Sequence, residues 1–313
     1  MDVPAGSGVP AGPDGQRGVP ADPPADPPAD PPVPPAPLTV AAVQAEAVPG
    51  DLAGNAGTAA RAVATAAASG ARLVVLPELF LPAYHPPTLR ADPAGTDVAA
   101  GPGGRVDDPR LAALRHAAVE HRAVVVVGAA VRHPDGRRTC SALVLDPSGT
   151  VRIGYDKQHL WGPDENELFV PGERGATLSL DGWLLGLGVC YDGCFPEHGR
   201  AAAAGGAHGY LCPSGYVEGS QHRRDLYYAA RALDNTMYVV FANAVGGAAP
   251  WRFNGGAAIY DPEGRPVRRA ADSGPDVVVA TLTPELLRDV RGAHGMLADR
   301  LPHQGGTRTL LRV

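Results

Sequence analysis

The sequence predicts an α/β domain, and three observations support this fold class. Apolar, β-rich segments alternate with alanine-rich or amphipathic helical segments from residue 38 to about residue 300. No linker-like composition and no repeat of roughly 20–50 residues interrupts this region. The predicted strands are also numerous for the length, so two sheets packed face to face with helices outside fit as well as one sheet.

The strands are predicted from short runs rich in Val, Leu and Ile that end at Gly, Pro or Asp. In chain order, these runs are 37–46, 71–76 before Pro77, 123–131, a first hairpin formed by 139–149 and 151–157, then 182–190, 210–215, 237–246 and a second hairpin within 255–268. The helices are predicted from periodic apolar positions, with Gly70 as a C-cap of the first. They cover 51–69, 108–122, 196–205 and 221–235.

The two ends of the chain differ from the domain, which we place at residues 38–300. Residues 1–37 contain ADPPADPPADPPVPP and almost no large apolar side chains, which predicts a disordered tail. Residues 301–313 form a C-terminal tail, a candidate for oligomer contacts. The sequence has neither a signal-like apolar leader nor an apolar run of about 18 residues, so a cytoplasmic protein without a membrane partner is expected.

The charge distribution argues against nucleic acid as a partner. The net charge is −6, of which five Asp and one Arg in residues 1–37 contribute −4, so the domain is close to neutral. Its arginines are scattered, and the densest positive cluster, HRRD at 222–225, is too small for a nucleic-acid footprint. Nucleic acid is therefore not an expected partner.

The four cysteines are expected to be reduced thiols, because a chain of 313 residues without a signal does not need a disulfide framework. A zinc site would use Cys190, Cys194 and His198. Pro196 interrupts any helix that could align them, and paired C-x-x-C motifs are missing. No metal is expected.

Three side chains with chemical potential follow predicted strands, where α/β folds place their chemistry. Glu78 follows an apolar strand, where burial would raise its pKa toward that of a general base, although a loop carboxylate is the simpler interpretation. Lys157 is the only lysine, since the other 26 of the 27 Lys and Arg residues are arginines. Cys190 stands between an apolar strand and the turn-like sequence YDG. This position is typical of a nucleophile, but a buried structural thiol also fits it.

A cysteine nucleophile needs a base or a nearby cation, because a free thiol is mostly protonated at neutral pH. His198 and His208 lack the sequence pattern of a Cys–His protease. Glu78 could instead accept the thiol proton, while Lys157 stabilises the oxyanion formed when the thiolate attacks a carbonyl or nitrile carbon.

Four motifs together resemble the carbon–nitrogen hydrolase (nitrilase) superfamily: VVLPEL, YDKQHLW, GLGVCYDGCFPE and ARALDNTMYVVFANAVGG, in that order. The resemblance implies a four-layer αββα sandwich of two mixed β-sheets and a catalytic triad of Glu78, Lys157 and Cys190. It also implies that Glu165 orients the lysine and the substrate, and that the backbone N–H of Tyr191 joins Lys157 in the oxyanion hole. No cofactor is implied.

Glu167 competes with Glu165 for the fourth role, but its spacing to Phe169 differs from that of the family. The CYD sequence resembles amidases and carbamoylases rather than true nitrilases, which implies a small linear amide or N-carbamoyl amine as substrate. An acyl transferase and a non-catalytic scaffold on the same fold remain the alternatives. The family also implies a homodimer or a higher homo-oligomer.

Three aromatic residues are candidates for substrate binding from their neighbourhood: Tyr84 after the Glu78 strand, Trp161 after the lysine, and Tyr216 after CPSG. Each can also be explained by packing. Cys194 is expected to be a small residue beside the pocket or at a subunit contact.

Overall fold

A computed structural model describes residues 33–300 and 310–311. The strands within these residues are β1 (Leu38–Ala45), β2 (Leu73–Val75), β3 (Asp97–Ala99), β4 (Val124–Arg132), β5 (Arg138–Leu145), β6 (Val151–Asp156), β7 (Ala176–Leu180), β8 (Trp183–Leu187), β9 (Gly209–Ser214), β10 (Tyr238–Gly246), β11 (Phe253–Asn254), β12 (Ala258–Tyr260), β13 (Pro266–Arg269) and β14 (Asp276–Leu282). The α-helices are α1 (Leu52–Ala68), α2 (Pro86–Ala91), α3 (Pro93–Thr96), α4 (Ala112–Glu120), α5 (Gly162–Leu168), α6 (Pro196–Ala204), α7 (Gln221–Asn235) and α8 (Pro284–Ala293).

The strands form two halves of mixed sheet that meet along one short seam. In the first half the order is β6, β5, β4, β2, β1 and β14, and in the second it is β7, β8, β9, β10, β12 and β13. The halves are joined where β1 and β10 run parallel for two residue pairs, Gln44 with Asn243 and Ala45 with Ala244. The seam brings the ends of strands from both halves close together.

The apolar side chains divide into three clusters that define four layers. Val40 and Ala42 of β1 pack with strands of the second half, including Leu185 of β8, so this cluster fills the space between the sheets. Ala41 and Val43 point the other way and pack against α1 and α4. A third cluster joins β9 and β10 to α6 and α7. Because side chains alternate across a strand, each sheet is buried on both faces, and the αββα sandwich is confirmed.

The predicted elements agree with the observed ones wherever the apolar pattern is strong. Helix α7 begins and ends where predicted, and both predicted hairpins are antiparallel pairs, β5 with β6 and β12 with β13. The prediction missed β7, β14 and α8, together with the short elements β3, β11, α2, α3 and α5. Strand β14 has only three of its seven residues buried, and β7 only one of five, so neither carries a strong apolar run.

Residues 33–37, assigned to the tail by the sequence, lie directly before β1. The indole Nε1 of Trp183 donates a hydrogen bond to Ala36 O at 2.8 Å. The rest of the predicted N-terminal tail and nearly all of the predicted C-terminal tail lie outside the described residues. Within the described part, no helix is both long and apolar enough to cross a membrane.

Candidate active site

Glu78 is held at the end of β2 by a close crossing of two backbones. Its N–H donates to Ser214 O at 3.3 Å, and Gly128 N–H donates to Pro77 O at 3.1 Å. A Cβ at Gly128 would lie 2.2 Å from Leu79 N, so only glycine allows β4 to pass this closely. The side chain of Glu78 is 1% exposed.

Lys157 leaves the end of β6 and is also completely buried. The backbone N–H of Lys157 donates to Cys140 O at 2.9 Å, and its backbone carbonyl accepts from Gly172 N–H at 2.8 Å. The backbone is therefore fixed on both sides of the side chain. A buried ammonium needs several acceptors, and this one has two carboxylates.

The two carboxylates belong to Glu78 and Glu165. Lys157 Nζ lies 2.6 Å from Glu78 Oε1, and 2.9 and 2.7 Å from Glu165 Oε1 and Oε2. The sequence placed Glu165 in a loop, whereas it lies in the short helix α5. All three charged groups are buried, so their mutual attraction is weakly screened.

Tyr84 and Trp161, two predicted substrate-binding residues, both contact Glu165. The Tyr84 hydroxyl donates to Glu165 Oε1 at 2.7 Å, and the backbone N–H of Trp161 donates to Oε2 at 2.8 Å. The side chain of Trp161 itself is 49% exposed. Glu167 instead points outward and forms an ion pair with Arg90 at 2.7 Å. Glu165, and not Glu167, therefore lies against the lysine.

Cys190 begins a 3-10 helix, Cys190–Cys194, three residues beyond the end of β8. Its φ is +46°, which is strained for a residue with a side chain. The Tyr228 hydroxyl donates to Cys190 O at 2.9 Å. Such a turn directs the side chain of Cys190 away from the strand.

Asp192 stabilises the same turn by accepting hydrogen bonds, a role that was not predicted from the sequence. Its Oδ2 accepts from Val189 N–H and the Tyr155 hydroxyl, both at 2.9 Å, and its Oδ1 accepts from His159 N–H at 2.9 Å. Burial alone would raise the pKa of Asp192, but the hydrogen bond from His159 helps to lower it. An Asp two residues after the cysteine, inside a turn, was the available signal.

The pKa values in the cluster are set by burial and by the neighbouring charges. Burial raises the pKa of Glu78 to about 7, although Lys157 and a hydrogen bond with Cys190 oppose the shift. Burial, reinforced by the charge of Glu78, raises the pKa of the Cys190 thiol. Burial would lower the pKa of Lys157, but the two glutamates together raise it well above its usual value. The resting state therefore pairs a neutral thiol with a charged ammonium.

Tyr216 and Cys194 lie on the other side of the turn. The Tyr216 hydroxyl and the Cys194 thiol are 3.2 Å apart, and the Tyr216 ring packs edge-on against Tyr228 at 5.9 Å. The side chain of Tyr191 packs against Phe195 with ring centroids 4.9 Å apart. Tyr191 directly follows Cys190 in the turn, so the backbone N–H of Tyr191 lies next to the cysteine while its ring packs against Phe195.

The residues considered for a zinc site have other partners. Both ring nitrogens of His198 form hydrogen bonds, Nε2 with Tyr155 at 2.9 Å and Nδ1 with Tyr210 at 2.8 Å. Within residues 33–300 and 310–311, no group of three His, Cys, Asp or Glu side chains is arranged to hold a metal ion.

A cavity of about 370 Å³ opens beside Glu78. Tyr84 and Phe253 line it, with ring centroids 5.8 Å apart. Gly215 lies between the cavity and the cysteine, because a Cβ there would be 3.1 Å from Glu78 Oε2, and its backbone N–H hydrogen bonds with Cys190. Glu78 Oε2 accepts no hydrogen bond of standard geometry from the described residues. One oxygen of the base is therefore unused on the side of the cavity.

The αββα sandwich is the fold of the amidase structures that this chain resembles. Residues 39–292 match the sequence model of the carbon–nitrogen hydrolase family, and the chain belongs to this family, in its amidase branch. It is an enzyme of the amidohydrolase class. The family resemblance expected from the four sequence motifs is thus confirmed.

Named relatives and one solved structure illustrate the similarity. A hydrolase in the pqqF 5' region of Pseudomonas protegens is 34% identical over 75% of this chain and 80% of its own length. An (R)-stereoselective amidase from Pseudomonas sp. is 33% identical over 85% of this chain and 93% of its own length. The amidase from Nesterenkonia sp. AN1, in complex with acrylamide, matches with a TM-score of 0.72 and 30% identity over 84% and 94% of the two chains. The same amidase has been captured with the acetamide moiety of fluoroacetamide added covalently at its active site cysteine.

Proposed function

We propose that this enzyme hydrolyses a small linear amide or N-carbamoyl amine through a thioester on Cys190. The observation that carries the proposal is the cluster in which Lys157 Nζ bridges Glu78 and Glu165 within 2.9 Å. The covalent adduct at the cysteine of the Nesterenkonia amidase supports a nucleophilic role for the matching thiol. The cavity beside Glu78 has a volume suited to a small substrate.

The first half of the reaction forms the thioester. Cys190 Sγ attacks the amide carbon while Glu78 takes the thiol proton, and the developing oxyanion is stabilised by Lys157 and the backbone N–H of Tyr191. Glu78 then gives its proton to the leaving nitrogen, and ammonia or an amine departs as the C–N bond breaks. A pKa of about 7 suits Glu78 to both transfers.

The second half hydrolyses the thioester and restores the enzyme. Glu78 takes a proton from a water molecule, the hydroxyl adds to the acyl carbon, and the thiolate leaves and regains the proton from Glu78. Glu165 is a positioning residue in this scheme, because its two oxygens hold the ammonium of Lys157 and are themselves held by Tyr84 and Trp161. We infer that Tyr216 borders the acyl group through its contact with Cys194.

Product release from a panel of carboxamides and carbamoyl amines, comparing the wild type with Cys190→Ala, tests the proposal. We expect ammonia or amine release by the wild type and none by the variant. Hydrolysis that survives in Cys190→Ala would rule out the thioester. An acyl transferase would release more than one equivalent of amine per enzyme only when an added nucleophile accepts the acyl group. An inert wild type would support a scaffold.

A further inference from the structure

The cavity beside Glu78 contains a second carboxylate. Glu46 lies on its wall, one residue beyond the end of β1, and its side chain is exposed. Glu78 is neutralised by Lys157, but none of the ion pairs formed within residues 33–300 includes Glu46. The nearest cation in sequence to this wall, Arg252, is paired with Glu218 at 3.8 Å. The charge of Glu46 is therefore free to act on a ligand.

The position of Glu46 is fixed by a glycine pair in the facing loop. Gly247 N–H donates to Glu46 Oε1 at 2.9 Å, and a Cβ at Gly246 would lie 2.6 Å from Glu46 Cδ. Both glycines have φ of +82°, a backbone conformation that other residues rarely adopt. The loop thus accommodates the carboxylate closely while leaving its second oxygen without a hydrogen bond from Gly247.

The remaining wall of the cavity is aromatic and carries no opposing charge. Trp251 and His85 meet edge-to-face with ring centroids 5.1 Å apart, beside Tyr84 and Phe253. No lysine or arginine is found among the described residues that line it. Aromatic rings attract cations through their π faces, so both these walls and the carboxylate of Glu46 favour a positively charged ligand.

We propose that Glu46 selects amides that carry a protonated amine. The ammonium would lie at Glu46 while the amide group reaches Glu78 at the inner end of the same cavity, on the side where Gly215 separates the cavity from Cys190. This inference rests on the proposed function and adds the charge of its substrate. An anionic amide would be repelled by Glu46, and a neutral one would lack its attraction.

The test compares three small amides that differ mainly in the charge at one end: 4-aminobutanamide, pentanamide and succinamate. We expect the highest kcat/KM for 4-aminobutanamide and the lowest for succinamate. Glu46→Gln retains an acceptor for Gly247 N–H but removes the charge, so the ratio of kcat/KM for 4-aminobutanamide over pentanamide should fall about fivefold. The matched control, Glu120→Gln, removes an exposed carboxylate of α4 that lies outside the cavity and should leave this ratio unchanged.

A higher kcat/KM for pentanamide than for 4-aminobutanamide would overturn the inference. So would a ratio of the two kcat/KM values that is unchanged in Glu46→Gln. If Glu46→Ala lowers turnover of both amides equally while Glu46→Gln has no effect, Glu46 only anchors the loop, and the inference is also wrong.

A binding measurement separates this inference from the proposed function. Calorimetry of 4-aminobutanamide with the inactive Cys190→Ser protein should give a Kd that weakens about fivefold when Glu46→Gln is added. Failure of all three amides to be hydrolysed would contradict the proposed function for this class of substrate. A Kd that does not respond to Glu46→Gln would contradict the role of Glu46 even if hydrolysis is observed.

Discussion

The ammonium of Lys157 lies 2.6 Å from Glu78 Oε1, with both side chains fully buried. One buried cation thus faces two buried carboxylates, since Glu165 lies 2.7 Å away on its other side. A site with this excess of negative charge tends to retain a proton, which agrees with the raised pKa of Glu78. The ammonium of Lys157 stabilises the two buried carboxylates, and in the proposed mechanism the same ammonium would stabilise the oxyanion.

Replacing Lys157 should damage both stability and turnover. Lys157→Met leaves two buried carboxylates without a cation, and we expect it to lower the free energy of unfolding by about 3–5 kcal/mol in urea denaturation. Lys157→Arg keeps the charge but cannot aim a compact ammonium at one oxygen, so kcat/KM should fall at least about 100-fold. Arg137→Met breaks an exposed pair with Asp135 and should cost under about 1 kcal/mol. Wild-type activity in Lys157→Arg would exclude the oxyanion role.

The neighbouring cysteines should respond unequally to the same change. Cys190→Ser replaces the proposed nucleophile with a hydroxyl, which is far harder to deprotonate, so turnover should be abolished. Cys194→Ser retains a group able to hydrogen bond with Tyr216, and it should alter mainly KM or stability. Steady-state kinetics and thermal denaturation of both variants test this difference. Equal losses of kcat would place Cys194 in the chemistry as well.

The pH dependence should follow the ionisation of Glu78. Its pKa is raised to about 7 in the folded protein by burial, and the base must be ionised to accept the thiol proton. We therefore expect kcat/KM to increase with pH through an apparent pKa near 7. A profile that is flat from pH 5 to about pH 8 would show that no such base limits the reaction.

Ionisation of Glu78 should also affect stability. The free energy of unfolding should decrease as pH rises, whereas kcat/KM should increase. The pKa of Glu78 is higher in the folded than in the unfolded chain, so its contribution to the free energy of unfolding is complete below the ordinary value of 4.5 and is lost as pH rises through about 7. Relative to Glu78→Gln, the wild type should lose stability over this interval. Denaturant titrations at several pH values measure the difference.

Gly215→Ala should impair catalysis by narrowing the space beside the base. The added Cβ would lie 3.1 Å from Glu78 Oε2 and 3.3 Å from Phe253 Cε1. We expect kcat to fall about tenfold, as for a small misplacement of a catalytic group, with little change in Tm. Gly175→Ala is the control, because nothing lies within 4 Å of its Cβ and its φ is not positive. Equal activity of the two variants would mean that the space at Gly215 is unused.

Asp192→Asn should loosen the turn that carries Cys190. An amide nitrogen would replace one acceptor oxygen and face donors such as Val189 N–H or His159 N–H, at a cost of about 1–3 kcal/mol. Because the effect acts through the nucleophile, kcat should fall more than KM changes. Asp164→Asn, in the exposed pair with Arg90, should affect neither. A purely structural role would lower stability without this kinetic signature.

The sequence could predict the parts of the fold and site that depend on local pattern. Continuous apolar runs predicted β4 and β10, and Glu78, Lys157 and Cys190 were each expected where an apolar strand ends. The structure brings Glu78 and Lys157 into direct contact although 79 positions separate them. The roles of these residues in catalysis stay predictions.

The parts that could not be predicted depend on contacts between distant segments. Tyr84 was expected to border the substrate and lines the cavity, but no local pattern predicted its hydrogen bond with Glu165, 81 positions away. Glu46 lies on the cavity wall because the seam between β1 and β10 brings the residues after β1 next to Gly247, 201 positions away. No local pattern marks such residues, because their role depends on which strand ends the fold places together.

Intact-protein mass spectrometry of the enzyme quenched during turnover tests the thioester most directly. With a hydrolysed amide, we predict an added mass equal to the acyl group, located on the peptide that contains Cys190 and absent from Cys190→Ala. An adduct on another residue, or sustained hydrolysis by Cys190→Ala, would contradict the account.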